Sequence, residues 1–405
     1  MRILHLISQR PDSTGSGIYV QEMLRAAVDE GHDNHLLAGI QSEQMPEIDL
    51  LPSSQCTYVE FNSSALPFNI VGMSDVMPYA SRRFRDLNSD EIRHYEQAFG
   101  NALCQVIDRF APDIIHSHHL WLVTSLAARM FPHIPLVTTC HGTDLRQLRN
   151  CPHLRPRVMS GCRNIDHILA LSPAQREEIQ REYRFDTKKI SVAGGGFNKN
   201  LFFQENKPAL SAVRLLYAGK LSKAKGVPWL LKALSSLEQD NIHLDLIGSG
   251  SGTDFEECVK LAEQLGDKVT LHGQLSQSQL AALMRKAHIM VLPSFFEGLP
   301  LIMLEAIVSG CRVIATDLPG TNYIASILES DHITLVPLPT DAGHDCVSPE
   351  KESDFVADLA RALTESITQT RKEPEVQLHP LASKIDHFSW KAVYERTHQA
   401  YSLLL

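Results

Sequence analysis

Glu297 and Glu305 stand eight positions apart in Ser294-Phe295-Phe296-Glu297-Gly298-Leu299-Pro300-Leu301-Ile302-Met303-Leu304-Glu305-Ala306. The apolar run Ile289-Met290-Val291-Leu292-Pro293 reads as a buried strand, Gly298-Leu299-Pro300 as a turn, and the rest as an apolar-periodic helix. Glu297 then lies in the turn and Glu305 on the helix. Pro300 suits the first helical position, where its missing N–H would have had no partner. The free N–H groups of that first turn, with the dipole behind them, form an anion site. Two cations, Lys220 and Lys225, follow an earlier apolar run, and His141 follows another in Cys140-His141-Gly142-Thr143-Asp144. Singly, each has a bland reading: a solvated turn, a surface helix, a basic loop, a structural histidine.

The elements that must position these residues alternate in type. Met1–Ile7 reads as a first strand, followed by Gln9–Gly17 with Gly15 and Gly17, a helix from about 18 to 30, and a strand over 34–40. This βαβ opening invites a dinucleotide reading. The G-x-G continues to Val20 without a third glycine, however, and the second strand ends Leu37-Ala38-Gly39 without an acid for a ribose. Residues 41–90 read as polar and irregular, with Arg82-Arg83-Phe84-Arg85 as a solvated face or a hold for an anionic acceptor. A helix over 89–110 and strands at 113–116, 135–139 and 168–171 complete the first half. A polar linker, Gln204–Pro208, precedes a second series: strands at 213–219, 244–247, 269–273 and 289–292, a loop over 341–353 and a helix over 354–368. The expected domains are 1–205 and 206–384, with a C-terminal helix over 385–405.

The Phe-Phe-Glu-Gly-Leu-Pro-Leu-Ile-Met-Leu-Glu-Ala segment and Gly310-Cys311-Arg312-Val313-Ile314-Ala315-Thr316 resemble the E-x7-E region of retaining GT-B glycosyltransferases of family 4. The resemblance implies an α/β GT-B fold, two Rossmann-like doubly wound domains facing across a cleft. It implies a donor nucleotide sugar held mainly by the second domain and an acceptor hydroxyl by the first. Glu297 would touch the donor sugar and Glu305 its ribose. Lys220 and Lys225 would clamp the diphosphate, with Gly298, Leu299, Pro300 and Leu301 supplying the helix start. Lys220 replaces the family's usual arginine and loses its bidentate fork. Gly15 and Gly17 would let the first loop approach the ligand. His141, in the family's His-Gly-x-Asp element, would bond the transferred sugar or the acceptor. Asn198 stands where the family carries Asp. In this fold the C-terminal tail crosses back onto the first domain, although its apolar spacing fits equally a helix that caps its own domain.

Composition narrows the remaining classes. A length of 405 residues suits two cores. A net charge of −9, split as −3 before residue 206 and −6 after it, argues against nucleic acid. No run of eighteen apolar residues occurs, and the eight cysteines lack C-x-x-C spacing. These features fit a cytoplasmic protein with reduced thiols and at most weak peripheral membrane association. His116 and His118 alternate on one face, but the sequence offers no third ligand at metal spacing, and no D-x-D occurs. Neither a metal nor another cofactor is expected. The function expected is a retaining, metal-independent hexosyl transfer from a UDP- or GDP-sugar, in polysaccharide, glycolipid or glycoconjugate synthesis. The rival readings are a sugar-nucleotide epimerase, a silent sugar-nucleotide-binding partner subunit and, disfavoured by the fingerprint, an NAD-dependent oxidoreductase.

Overall fold

The computed structural model describes every residue except 43, 44, 47, 76, 208, 209, 340–347, 349 and 350. The loop expected over 341–353 therefore lies largely outside the described residues. The chain divides into two compact units, Met1–Gly195 with Trp390–Leu405, and Gly196–Ser389.

The first unit contains β1 (Arg2–Ile7), β2 (Asp33–Gln41), β3 (Cys56–Phe61), the short β4 (Val71–Gly72) and β5 (Arg82–Arg83), β6 (Ile114–His118), β7 (Leu136–Thr139), β8 (His167–Ala170) and β9 (Ile190–Val192). Its helices are α1 (Gly15–Asp29), α2 (Ser89–Phe110), α3 (Leu122–Met130), α4 (Thr143–Asn150), α5 (Arg155–Cys162) and α6 (Pro173–Tyr183). Seven strands form one parallel sheet in the order β3-β2-β1-β6-β7-β8-β9. The central strands are buried on both faces, which is why β1 reads as a nearly continuous apolar run, whereas β6 buries His116, Ser117 and His118 beside its two isoleucines.

The second unit repeats the plan. It has β10 (Val213–Ala218), β11 (Ile242–Ile247), β12 (Val269–Gly273), β13 (Ile289–Leu292), β14 (Arg312–Thr316) and β15 (Ile333–Val336). Around them are α7 (Val227–Ser235), α8 (Gly252–Gln264), α9 (Gln277–Lys286), α10 (Leu301–Val308), α11 (Pro319–Leu328), α12 (Glu352–Lys372) and α13 (Ala382–Asp386). Its parallel sheet runs β12-β11-β10-β13-β14-β15. The last helix, α14 (Trp390–Ser402), belongs to the first unit although it follows the second in sequence. Each sheet reverses its strand order once, between β1 and β6 and between β10 and β13. Ligands of open α/β sheets bind beyond the carboxyl ends of the strands at such a reversal.

Several sequence expectations shift. The units divide at 195/196 and 389/390 rather than at 205/206 and 384/385, because the segment before the linker is tied to the second unit: Phe197 N donates to Phe388 O at 3.2 Å, Arg285 Nη1 to Leu201 O at 2.8 Å and Gln204 Nε2 to Val376 O at 2.7 Å. The linker residue Lys207 is anchored there too. Its ammonium donates to the carbonyls of Met284, Ala287 and Ser309 at 3.3, 2.6 and 2.9 Å, at the ends of two helices. Helix α1 begins at Gly15 instead of 18, because Thr14 caps it and accepts from Gly17 N at 3.1 Å. The stretch 41–90 holds β3, whose Cys-Thr-Tyr-Val-Glu-Phe has strand composition that the surrounding prolines obscured. No helix among the described residues is long and apolar enough to cross a membrane.

Candidate functional site

In the second unit, the strands that flank the reversal deliver the expected cations and carboxylates. β10 ends at Ala218 and leads into Gly219 and the exposed Lys220, while β13 ends at Leu292 and leads into the turn that holds Glu297. These two segments are pinned together. Phe295 N donates to Ala224 O at 3.0 Å, and Phe295 buries its ring edge-on against Trp229 at 5.0 Å. Gly226 carries a φ of +71° between them, and a Cβ there would meet Pro293 O at 1.9 Å. Only glycine permits that approach. Lys225 Nζ, one residue earlier, lies 2.7 Å from Glu297 Oε1. The lysine is 28% exposed and the glutamate 16%, so the pair is half-desolvated and still reachable by a ligand.

Gly298, Leu299 and Pro300 run from Glu297 into α10, and Pro300 is the residue before its first turn. The N–H groups of Leu301 and Ile302 have no helical acceptor there, which leaves the anion-favouring end open. Glu305 lies one turn on, partly buried, and burial raises its carboxyl to about 7. From its ordinary value near 4.5 up to about 7, the folded chain keeps a proton that the unfolded chain has released. Stability therefore declines as pH rises through that window, by roughly 2–3 kcal/mol, and is flat above it. Glu305→Gln is expected to abolish this slope. Urea unfolding of both proteins at about pH 5 and pH 8 measures it, and equal slopes would refute the assignment.

In the first unit, β7 ends at Thr139 and delivers His141, and β6 delivers His118 and His119. His141 Nε2 is hydrogen-bonded to His118 Nδ1 at 3.1 Å, and the two rings stack 5.3 Å apart. Tyr19 on α1 meets His141 edge-on at 5.1 Å and Trp390 on α14 at 5.2 Å. Burial first, then His119 and His116, hold His141 well below the usual histidine range. It is a neutral imidazole, able to donate or accept one hydrogen bond. Asp144, fully buried, organises the loop by accepting from Leu120 N at 2.9 Å and His141 N at 3.3 Å. Sequence reasoning gave no role to Asp144 and did not name Tyr19. The Asp of His-Gly-Thr-Asp was the available signal, but Tyr19 lies far away in the chain.

The structure also corrects the histidine reading. His5 pairs opposite His116 in the β1/β6 register, and His5, His116 and His118 offer ring nitrogens within 4.8 Å of one another. A third ligand-type residue is thus present where the sequence showed none. His116, however, uses both nitrogens, bonding Thr139 Oγ1 at 2.8 Å and the Tyr401 hydroxyl at 2.6 Å. Its chemistry is that of an anchor for α14. Gly17 approaches Pro11, where a Cβ would lie 2.8 Å from the carbonyl, whereas Gly15 has open space around it. The arginines of 82–85 are all occupied: Arg82 pairs with Glu91, Arg83 with Asp86 and Arg85 with Asp75.

Comparison with known proteins agrees with this plan. The family described as Glycosyltransferase Family 4 matches residues 13–200, and Glycosyl transferases group 1 matches residues 198–331. Sucrose-phosphate synthase from Thermosynechococcus elongatus superposes with a TM-score of 0.72 and 20% identity, over 100% of this chain and 99% of that one. The Anabaena protein HepE, solved with UDP-glucose, gives 0.65 and 16% over 99% of each chain. The fold is therefore GT-B, that of a glycosyltransferase. The chain is a glycosyltransferase of the family 4 type. A D-inositol 3-phosphate glycosyltransferase from Paenarthrobacter aurescens is 26% identical to it over 343 residues, 78% of this chain and 79% of that protein.

Proposed function

We propose that the chain is a retaining hexosyltransferase that moves a sugar from a UDP- or GDP-sugar to an acceptor hydroxyl. The observation that carries this reading is the Lys225–Glu297 pair, held at the strand reversal beside the open N-terminus of α10. In the proposed reaction the donor diphosphate takes over Lys225, together with Lys220 and the first-turn N–H groups near Leu301. Those groups stabilise the charge that develops on the leaving phosphate. They do so without a divalent ion, in keeping with a sequence that lacks D-x-D. Glu297, released from the lysine, accepts from the donor sugar's hydroxyls, and Glu305 from the ribose. The acceptor oxygen attacks from the face that the phosphate leaves, and the phosphate oxygen takes its proton. The glycosidic bond to phosphate breaks as the new one to the acceptor forms, with no sugar attached to Glu297 at any stage.

His141 would bond the transferred sugar or the acceptor hydroxyl in this scheme. The names of the relatives support a nucleotide-sugar donor and a hydroxyl acceptor: one acts on D-inositol 3-phosphate and one was solved with UDP-glucose. We place the activity in glycoconjugate, glycolipid or polysaccharide synthesis at the cytoplasmic side. The paired arginines of 82–85 lend no support to membrane docking.

The test is slow nucleoside diphosphate release from a panel of nucleotide sugars, with EDTA present and with candidate acceptors added. Release that acceptors accelerate supports transfer. Conversion of the sugar without release, or binding without turnover across the panel, would overturn it. His141→Ala is expected to lower kcat about 10- to 100-fold with little change in nucleoside diphosphate affinity. Equal loss of both would point to a merely structural histidine.

A further inference from the structure

A second cluster of metal-ligating side chains lies away from both sites, at the corner where α1 turns into β2. Glu30 ends α1, and His32 follows two residues later. His398, on α14, stacks over His32 with ring centroids 5.4 Å apart and planes 6° from parallel. One donor atom from each of the three residues lies within 4.8 Å of the others.

Their hydrogen bonding is incomplete. His32 Nε2 is buried with no hydrogen-bond partner and stands 3.8 Å from Glu30 Oε2. His398 accepts from Ser402 Oγ through its backbone carbonyl at 3.0 Å, and among the described residues neither of its ring nitrogens has a hydrogen-bond partner. The hydroxyl of Tyr394, whose ring lies 6.1 Å from His398, is also buried and unpaired, and the charge of Glu30 reaches it. A buried ring nitrogen left without a partner is rare and calls for an ion or a water. Two imidazoles and a carboxylate form a donor set for zinc-like borderline cations, whereas calcium and magnesium prefer oxygen alone.

We infer that Glu30, His32 and His398 form a binding site for a zinc-class divalent cation that fastens α14 to the α1–β2 corner. Zinc–ligand bonds of about 2.0–2.2 Å require donors roughly 3.3 Å apart, so the side chains close in slightly when the ion enters. Glu30, 45% exposed, is free to do so. A water completes the coordination from the solvent side. His32 Nδ1 lies 3.4 Å from the Met1 amine; ligation through Nε2 puts the ring proton on Nδ1, which donates to that amine once the ammonium has released a proton to solvent. The ion belongs to neither sugar-transfer site and does not depend on that reading of the chain.

The test uses the full chain without a polyhistidine tag, stripped with EDTA and titrated with zinc chloride. Bound zinc is counted by elemental analysis, and melting is followed by calorimetry. One zinc per chain is expected, with a rise in Tm of about 5 °C or more at a hundredfold excess over Kd. Magnesium and calcium should leave Tm unchanged. His398→Gln and Glu30→Gln are each expected to weaken zinc at least tenfold and remove the rise, with their metal-free Tm close to the parent's. Zinc affinity equal to the parent's in both variants would overturn the site, as would zinc binding with no rise in Tm. Failure to bind zinc at all would leave a water as the partner of His32 and sink the proposal.

Discussion

Lys225→Ala is expected to lower kcat/KM for sugar transfer by about 100-fold and to weaken binding of the free nucleoside diphosphate by a similar factor. A hydrogen bond to a charged group contributes about 1.5–3 kcal/mol, which corresponds to a loss of roughly 10- to 150-fold. The substitution also strips Glu297 of its partner while the carboxylate stays 16% exposed. Glu297→Gln separates the two roles. It frees Lys225 from its ion pair, so nucleoside diphosphate affinity should hold or improve, while transfer falls at least tenfold. Single-turnover rates and calorimetric titration of UDP and GDP measure the two quantities. If the glutamine variant lost diphosphate affinity as severely as Lys225→Ala, the division of labour between cation and carboxylate would be wrong.

Gly226→Ala is expected to be the most damaging single-methyl change in the second unit. Its φ of +71° disfavours any side chain, and the new Cβ would stand 1.9 Å from the Pro293 carbonyl. The left-handed conformation costs about 1–2 kcal/mol and overpacking a further 1–3 kcal/mol. Together these imply a fall in Tm on the order of 5–15 °C. The Ala224–Phe295 hydrogen bond would open as the segments part, moving Lys225 away from Glu297, so nucleotide binding should fail along with stability. Gly15→Ala is the control. With nothing within 4 Å of its added Cβ, it should shift Tm by no more than about 2 °C. A Gly226→Ala protein with parental Tm and nucleotide affinity would show that the Pro293 contact does not position the lysine.

Much of this was readable in advance wherever the information was local. Asn88 and Glu91 form a capping box, so helix α2 begins where a reader of the chain would begin it, at Ser89. The strand, turn and helix around Glu297 and Glu305 follow from apolar periodicity and Pro300. Helix α1 went astray by three residues because Thr14 takes the capping role that Gly15 and Gly17 disguise. The short strand β3 was hidden by flanking prolines, which suggested a loop.

What the sequence settled alone was the kind of chemistry, since residue types at fixed short spacings set charge, hydrogen-bonding capacity and helix termini. It could not tell which distant residues meet. Lys225 and Glu297 are 72 positions apart, and they touch because parallel β10 and β13 are neighbours and Gly226 has no side chain. His5 faces His116 through strand register, and Tyr401 reaches His116 across 285 positions because α14 packs onto the first unit. Packing of non-neighbouring segments decides such encounters, and no local propensity encodes them.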